Sequence, residues 1–146
     1  MLAIFIDTNI AIYAAGAPHR YKQPAARVID LIWQNADLFV TDAEVLQEIL
    51  HRYISIRRWA EGRHAFEEFS AVMEDRIEPI LPEDPILAAK LVDAHPRLSA
   101  RDLIHLAVMK RLGVTRIVTT DGGFQGLPII ERLDPADIEN WQGSVG

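Results

Sequence analysis

Asp7, Glu48, Asp102 and Asp121 are the residues with which this sequence could do chemistry, because each borders an apolar segment. Asp7 follows the apolar run from Leu2 to Ile6, and Asp121 follows Ile117-Val118-Thr119-Thr120. In open parallel sheets ligands bind beyond the carboxyl ends of the strands, and both aspartates would stand there. Asp102 opens the segment Leu103 to Leu112, which is apolar on almost every side and therefore expected to be buried. A charged group on such a helix must be paired or bound to metal. Glu48 lies at the edge of the apolar helical face formed by Val45, Leu46, Ile49, Leu50 and Tyr53. Gathered in one cleft, these carboxylates would repel one another, and one would keep its proton unless a cation arrived. Hard oxygen ligands suit Mg²⁺ or Mn²⁺, whereas a chain with no cysteine and five scattered histidines is a poorer fit for zinc. A cation held in this way can bind a phosphate oxygen, acidify a water and neutralise the leaving oxygen, which is phosphodiester hydrolysis. Thr8, Asn9, Thr119 and Thr120 stand beside the acids, where they could orient ligands or contact phosphate, and they equally suit turns and strand ends.

Each acid also has a purely structural account. Asp7 could cap the helix that follows it, and Asp121-Gly122-Gly123 is ordinary turn chemistry. Ser99-Ala100-Arg101-Asp102 matches the acidic form of a capping box. Glu48 could pair with Arg52 one turn on. Thr41-Asp42-Ala43-Glu44 reads as a capping box in which Thr41 and Glu44 satisfy free backbone donors, which sets Glu44 aside. His105, one turn beyond Asp102, reads as a hydrogen-bonded core histidine rather than a ligand.

The elements that must position these residues alternate along the chain. Apolar runs at Leu2 to Ile6, Leu38 to Val40, Ile77 to Leu81 and Ile117 to Thr120 are expected strands. Helical spacing is expected at Ile10 to Ala15, around Val28 to Ile32, from Thr41 to Ile54, at Ala60 to Met73, at Ile86 to Val92 and at Leu103 to Leu112. Parallel strands need crossovers, and helices supply them, so a parallel sheet covered on both faces is expected. With 146 residues and no interdomain linker, the chain is read as one domain, 1–146. The absence of cysteine fits a reducing compartment, and the N-terminal apolar run is too brief for a signal peptide, so a cytoplasmic location is expected. No run of apolar residues is long enough to span a bilayer, and no membrane is implied. The formal charge of −6 argues against polyanion binding in sum but not in distribution. His51 to His64 carries Arg52, Arg57, Arg58 and Arg63 against Glu61 alone, and Glu74 to Asp84 holds five acids and one arginine. The basic stretch is either a solvated helix face or a set of RNA contacts, for which Arg52, Arg57 and Arg58 are the candidates.

The segments Ile4-Phe5-Ile6-Asp7-Thr8-Asn9, Val45-Leu46-Gln47-Glu48-Ile49-Leu50, Ser99-Ala100-Arg101-Asp102-Leu103-Ile104-His105 and Ile117-Val118-Thr119-Thr120-Asp121 resemble, in order and spacing, the four acidic motifs of the PIN-domain family. The resemblance spans about residues 2–135 and is greatest to the small stand-alone VapC-type toxins of type II toxin–antitoxin pairs. It implies a three-layer α/β/α sandwich around a parallel sheet of four to five strands, and Mg²⁺- or Mn²⁺-dependent endoribonuclease activity. Homodimerisation, and inhibition by a cognate antitoxin, are implied as well. It would make Asp7, Glu48, Asp102 and Asp121 both the catalytic and the metal-binding set, with Thr8, Asn9 and Thr119 in support. Relatives often carry a further acid directly before the aromatic that corresponds to Phe124; here that position is Gly123, so Asp121 must serve alone.

Three other readings compete. A haloacid-dehalogenase-like phosphatase would also begin with a strand ending in an aspartate, but it normally carries an acid where Asn9 stands. A PIN fold acting as a binding module would not need all four acids, and a non-toxin RNA-processing nuclease would use the same site. The assignment of the second motif is checked by comparing Glu44→Gln with Glu48→Gln, since only the second is expected to lose RNA cleavage in a nuclease assay.

Overall fold

The computed structural model describes residues 3–145. Five short strands run in chain order: β1 (Ile4–Ile6), β2 (Phe39–Asp42), β3 (Ile77–Glu78), β4 (Arg116–Val118) and β5 (Glu131–Leu133). Between and after them lie α1 (Thr8–Ala15), α2 (Lys22–Gln34), α3 (Ala43–Ser55), α4 (Trp59–Val72), α5 (Glu83–Leu91), α6 (Ala100–Leu112) and α7 (Ile138–Trp141). Every strand pairing is parallel, and the order across the sheet is β3-β2-β1-β4-β5. The expected α/β/α sandwich is therefore the fold observed.

The strand order decides where a site can form. The chain moves outward from β1 to β2 and β3, then returns to the other side of β1 for β4 and β5. That reversal opens a crevice between β1 and β4 at their carboxyl ends, the usual binding position in such sheets. Ile4, Phe5 and Ile6 of β1 are all buried, as a central strand covered on both faces requires. α1 packs against α2, α3 and α4, while α5 pairs with α6.

Two segment readings change. The third strand covers only Ile77 and Glu78 instead of reaching Leu81, because Pro79 has no amide to donate to a ladder. β5 was not distinguishable as a strand, since Glu131-Arg132-Leu133 is three residues long and presents only Leu133 to the core. The strand expected from Leu2 is observed from Ile4, and Leu2 lies outside the described residues.

Particular contacts anchor the helices that carry the acids. Asp84 on α5 is buried and receives two hydrogen bonds from the Arg111 guanidinium of α6, at 3.0 and 3.1 Å, and one from the Leu81 amide. Burial opposes ionisation of Asp84, but Arg111 and the Leu81 amide outweigh it and hold the carboxyl below the ordinary aspartate range. α6 ends at Gly113, whose φ of +71° is the left-handed conformation that lets the Val114 amide reach back to Met109 O at 2.8 Å.

On the other side, α3 and α4 approach so closely that a Cβ at Gly62 would lie 2.3 Å from Cβ and Cγ of Tyr53. Tyr53 is on α3, the helix that carries Glu48, so this contact sets where α3 sits. Gly62→Ala is expected to destabilise the protein by roughly 1–3 kcal/mol, the usual cost of forcing a methyl into a packed contact, measured by urea unfolding.

Candidate metal centre

Asp7 leaves β1 and enters α1 as its N-cap, with Oδ1 accepting the Thr8 amide at 2.7 Å. Its other oxygen accepts the Thr119 hydroxyl at 2.7 Å, just beyond the end of the neighbouring strand β4. Asn9 ties the two strand ends together: its amide donates to Thr119 Oγ1 at 3.0 Å, and its Oδ1 accepts the Thr120 amide at 3.1 Å. Thr119 Oγ1 also accepts the Asp121 amide at 3.0 Å, and Asp121 Oδ1 accepts the Gly123 amide at 2.7 Å. The structural roles expected of Asp7 and Asp121 are thus both present, and they leave one Asp121 oxygen outside the turn. Thr8 is buried with an unpartnered hydroxyl.

The second motif requires a correction. Thr41 does not cap α3 and Glu44 forms no capping box; Thr41 is still in β2, and its hydroxyl donates to Ile6 O at 2.9 Å across the sheet. The cap is Asp42, whose Oδ1 accepts the Val45 amide at 3.0 Å. Glu44 is partly buried, 3.9 Å from Arg101. Nor does Glu48 pair with Arg52: its Oε1 points inward to within 3.6 Å of His105 Nε2.

Asp42 and His105 are the two residues that the sequence reading passed over as functional. Both are fully buried, and His105 Nδ1 lies 2.8 Å from Asp42 Oδ2. His105 is therefore the hydrogen-bonded core histidine expected, but only through one nitrogen. Nε2 has no hydrogen-bond partner and faces Asp7 Oδ1 at 3.8 Å and Glu48 Oε1 at 3.6 Å. The available signal was the spacing of His105 and Asp102, three residues apart and hence on one face of α6. Ser99 caps that helix as expected, accepting the Asp102 amide at 3.2 Å.

Asp7, Asp102 and His105 each offer a ligand atom, and the three atoms lie within 4.8 Å of one another. Glu48 borders this group through His105, and Asp121 borders it through its repulsion of Asp102. The candidate RNA contacts lie elsewhere: Arg52 is one turn beyond Glu48 on α3, and Arg57 and Arg58 stand between α3 and α4. Arg52 and Arg57 are exposed, Arg57 with a left-handed φ of 57°, and Arg58 is bound to Glu61 at 2.6 Å. Arg52 and Arg58 line a surface cleft with Tyr13, His19 and Tyr53.

The electrostatics are those of a site short of positive charge. Burial pushes the Asp7 carboxyl above the ordinary range despite His105 and Thr119. Burial, then the charges of Asp7 and Asp121, push Asp102 up to about 7. Burial opposes ionisation of Glu48 too, but the imidazole beside it outweighs that effect and lowers its pKa. Burial disfavours an imidazolium at His105; Asp42, Glu48 and Asp7 overcome it and raise His105 well above the ordinary histidine value.

A carboxyl whose pKa is raised by folding binds its proton more tightly in the folded state. The contribution of Asp102 is therefore fully present below about pH 4 and is lost as pH rises towards 7. In EDTA, the melting temperature is expected to fall across that window, and Asp102→Asn should flatten the fall; an unchanged slope in the variant would contradict the assignment.

The PIN domain family model matches residues 4–129. Ribonuclease VapC13 of Mycobacterium tuberculosis is 40% identical over 130 residues, covering 89% of this chain and 98% of that protein. Ribonuclease VapC23 of the same species is 40% identical over 118 residues, covering 81% and 92%. Among solved structures, VapBC2 from Rickettsia felis bound to a promoter DNA fragment matches with a TM-score of 0.68 at 15% identity, covering 91% of this chain and 100% of that one. FitAcB from Neisseria gonorrhoeae matches with a TM-score of 0.67 at 17% identity, covering 90% and 97%. The fold, the order of its acidic motifs and these likenesses agree: the chain belongs to the PIN-domain family.

Proposed function

We propose that this chain is a divalent-cation-dependent endoribonuclease that hydrolyses RNA phosphodiester bonds and serves as the toxin of a toxin–antitoxin pair. The observation that carries the reading is the convergence of Asp7, Asp102 and His105 on one small volume, in a chain 40% identical to a ribonuclease over nearly its whole length.

The residues present fit a hard divalent cation. Buried oxygens predominate, Glu48 Oε1 and His105 Nε2 are buried without hydrogen-bond partners, and Asp102 is pushed up to about 7 by burial and then by its neighbours' charge. Asp7, Glu48, Asp102 and Asp121 would hold Mg²⁺ or Mn²⁺. Bound there, the cation supplies Lewis acidity, drawing charge from the scissile phosphate and making water a stronger acid.

The chain's own groups do the rest. Thr119 and the Thr8 amide hold both oxygens of Asp7 in place, and Asn9 locks the Thr119 side chain to the same frame. The amino ends of α1, α3 and α6 lie at Asp7, Asp42 and Ser99, so three helix dipoles present their positive ends to the anionic site. Arg52 and Arg57, exposed and beyond Glu48 in the chain, would meet substrate phosphates further along the RNA. A cognate antitoxin would restrain the enzyme, the active unit would be a homodimer, and the RNA would be met in the cytoplasm. Among the described residues no helix is long and apolar enough to cross a membrane.

Purified protein is expected to cleave RNA with Mn²⁺ or Mg²⁺ and to stop when EDTA is added. Asp7→Asn and Asp102→Asn should each reduce cleavage by at least about 100-fold with the circular dichroism spectrum unchanged, the range for losing a group that holds a catalytic ion. Full activity in both variants would sink the site. Expression in a bacterial host should arrest growth unless the antitoxin is co-expressed; unimpaired growth at confirmed expression would favour a processing nuclease.

A further inference from the structure

We propose that His105 is itself a ligand of the cation through Nε2, with Asp42 fixing its ring from behind, so that the site favours Mn²⁺ and other transition divalent cations over Mg²⁺. The inference rests on reading the acidic cleft as a cation site, and it changes the composition of that site from all oxygen to oxygen and nitrogen.

The first support is the asymmetry of the imidazole. One nitrogen is 2.8 Å from a buried carboxylate, and the other is equally buried and has no hydrogen-bond partner. A histidine kept in the core for packing normally satisfies both nitrogens, because a buried polar atom without a partner is costly. Asp42 accepts a hydrogen bond from Nδ1, which aims Nε2 into the cleft, where a cation would displace the proton that the neighbouring acids hold on that nitrogen while the site is empty. A histidine held by a carboxylate on its far side is the usual setting for a metal-binding imidazole. Phe5 packs against the ring, with centroids 5.3 Å apart, and further limits its rotation.

The second support is spacing. Nε2 stands 3.6 Å from Glu48 Oε1 and 3.8 Å from Asp7 Oδ1, and Glu48 Oε1 is itself without a hydrogen-bond partner. These separations are too long for hydrogen bonds. They are close to the distances between adjacent ligand atoms around one ion, about 3.0–3.4 Å for ligand bonds near 2.1 Å. Nitrogen ligands favour transition cations, whereas Mg²⁺ prefers an all-oxygen shell, so the imidazole would act as a selectivity element.

The test uses the full chain and Mn²⁺ as the probe. Pulsed electron paramagnetic resonance of substoichiometric Mn²⁺ should show nitrogen modulation from one imidazole, and ¹⁵N-histidine labelling should convert it. His105→Asn retains a donor for Asp42 in place of Nδ1 and removes Nε2. It should abolish the modulation and weaken Mn²⁺ binding by about tenfold or more, with a smaller change for Mg²⁺, measured by calorimetric titration. His64→Asn, altering a histidine paired with Glu68 on the surface of α4, should change neither. Mn²⁺ bound to the wild-type protein without nitrogen modulation, or modulation lost in His64→Asn, overturns the role of His105 and leaves the cation site standing. Failure of the wild-type protein to bind Mn²⁺ at all would overturn the underlying reading as well. Should His105→Asn not fold, the labelled wild-type spectrum decides alone.

Discussion

Acidic side chains are held close together, some buried and the rest only partly exposed, and the surrounding structure is organised around the resulting repulsion. Asp7 and Asp42 are buried, and Asp102 is pushed to about 7 by burial and by its acidic neighbours. Such an arrangement costs stability in the empty protein, because each ionised carboxylate loses hydration and meets like charge. The chain offsets part of that cost with the groups it has. Three helix amino ends face the cleft, Asp7 and Asp42 each accept a backbone amide as caps, and His105 sits among the acids. What remains uncompensated is like-charge repulsion that a bound cation would relieve.

That repulsion explains why several residues are placed as they are. The hydrogen-bond relay from Asn9 through Thr119 to Asp7 joins the ends of β1 and β4, the two strands between which the topology reverses. It stops one carboxylate from turning away from the others, at the point where turning away would relieve the repulsion. The Asp84–Arg111 pair between α5 and α6, and the close seat of Tyr53 on Gly62 between α3 and α4, do the same for whole helices. Neither contact touches the site, yet between them they hold α6, which carries Asp102 and His105, and α3, which carries Glu48. Rigid support of this kind is what a preorganised electrostatic site needs, since mobile carboxylates would simply separate.

The Asp42–His105 pair alters how the centre is understood. A cleft of acids alone would be a purely oxygen site, but here an imidazole lies within reach of Asp7 and Glu48 and is aimed by a second aspartate. Asp42 performs two tasks with its two oxygens, capping α3 with one and holding His105 with the other. The start of the helix bearing Glu48 is thereby tied to the middle of the helix bearing Asp102, across the floor of the cleft.

Much of this was legible in the sequence. Alternating apolar segments specify a parallel α/β sandwich because burial on two faces and a helical crossover leave few other solutions, and acids at strand ends mark the rim where ligands bind. Asp7, Glu48, Asp102 and Asp121 could each be singled out from local pattern, since position at the end of a strand or the edge of a helix is a local property. Local pattern failed where the deciding partner was distant in sequence. Thr41 seemed the cap of α3 because threonine caps helices, but its hydroxyl is taken by Ile6 O on the neighbouring strand, so the cap passes to Asp42. For Glu48 local pattern left two readings open, a pair with Arg52 or a place over the site, and the charged group it meets is His105, contributed by another helix. Asp42 and His105 are 63 residues apart, and no periodicity connects them. The sequence by itself determined which residues carry charge and which end of the sheet they occupy. Tertiary structure alone decided which of them share a cleft, because burial and close approach between remote segments are what bring ordinary caps and core residues together as a candidate cation site.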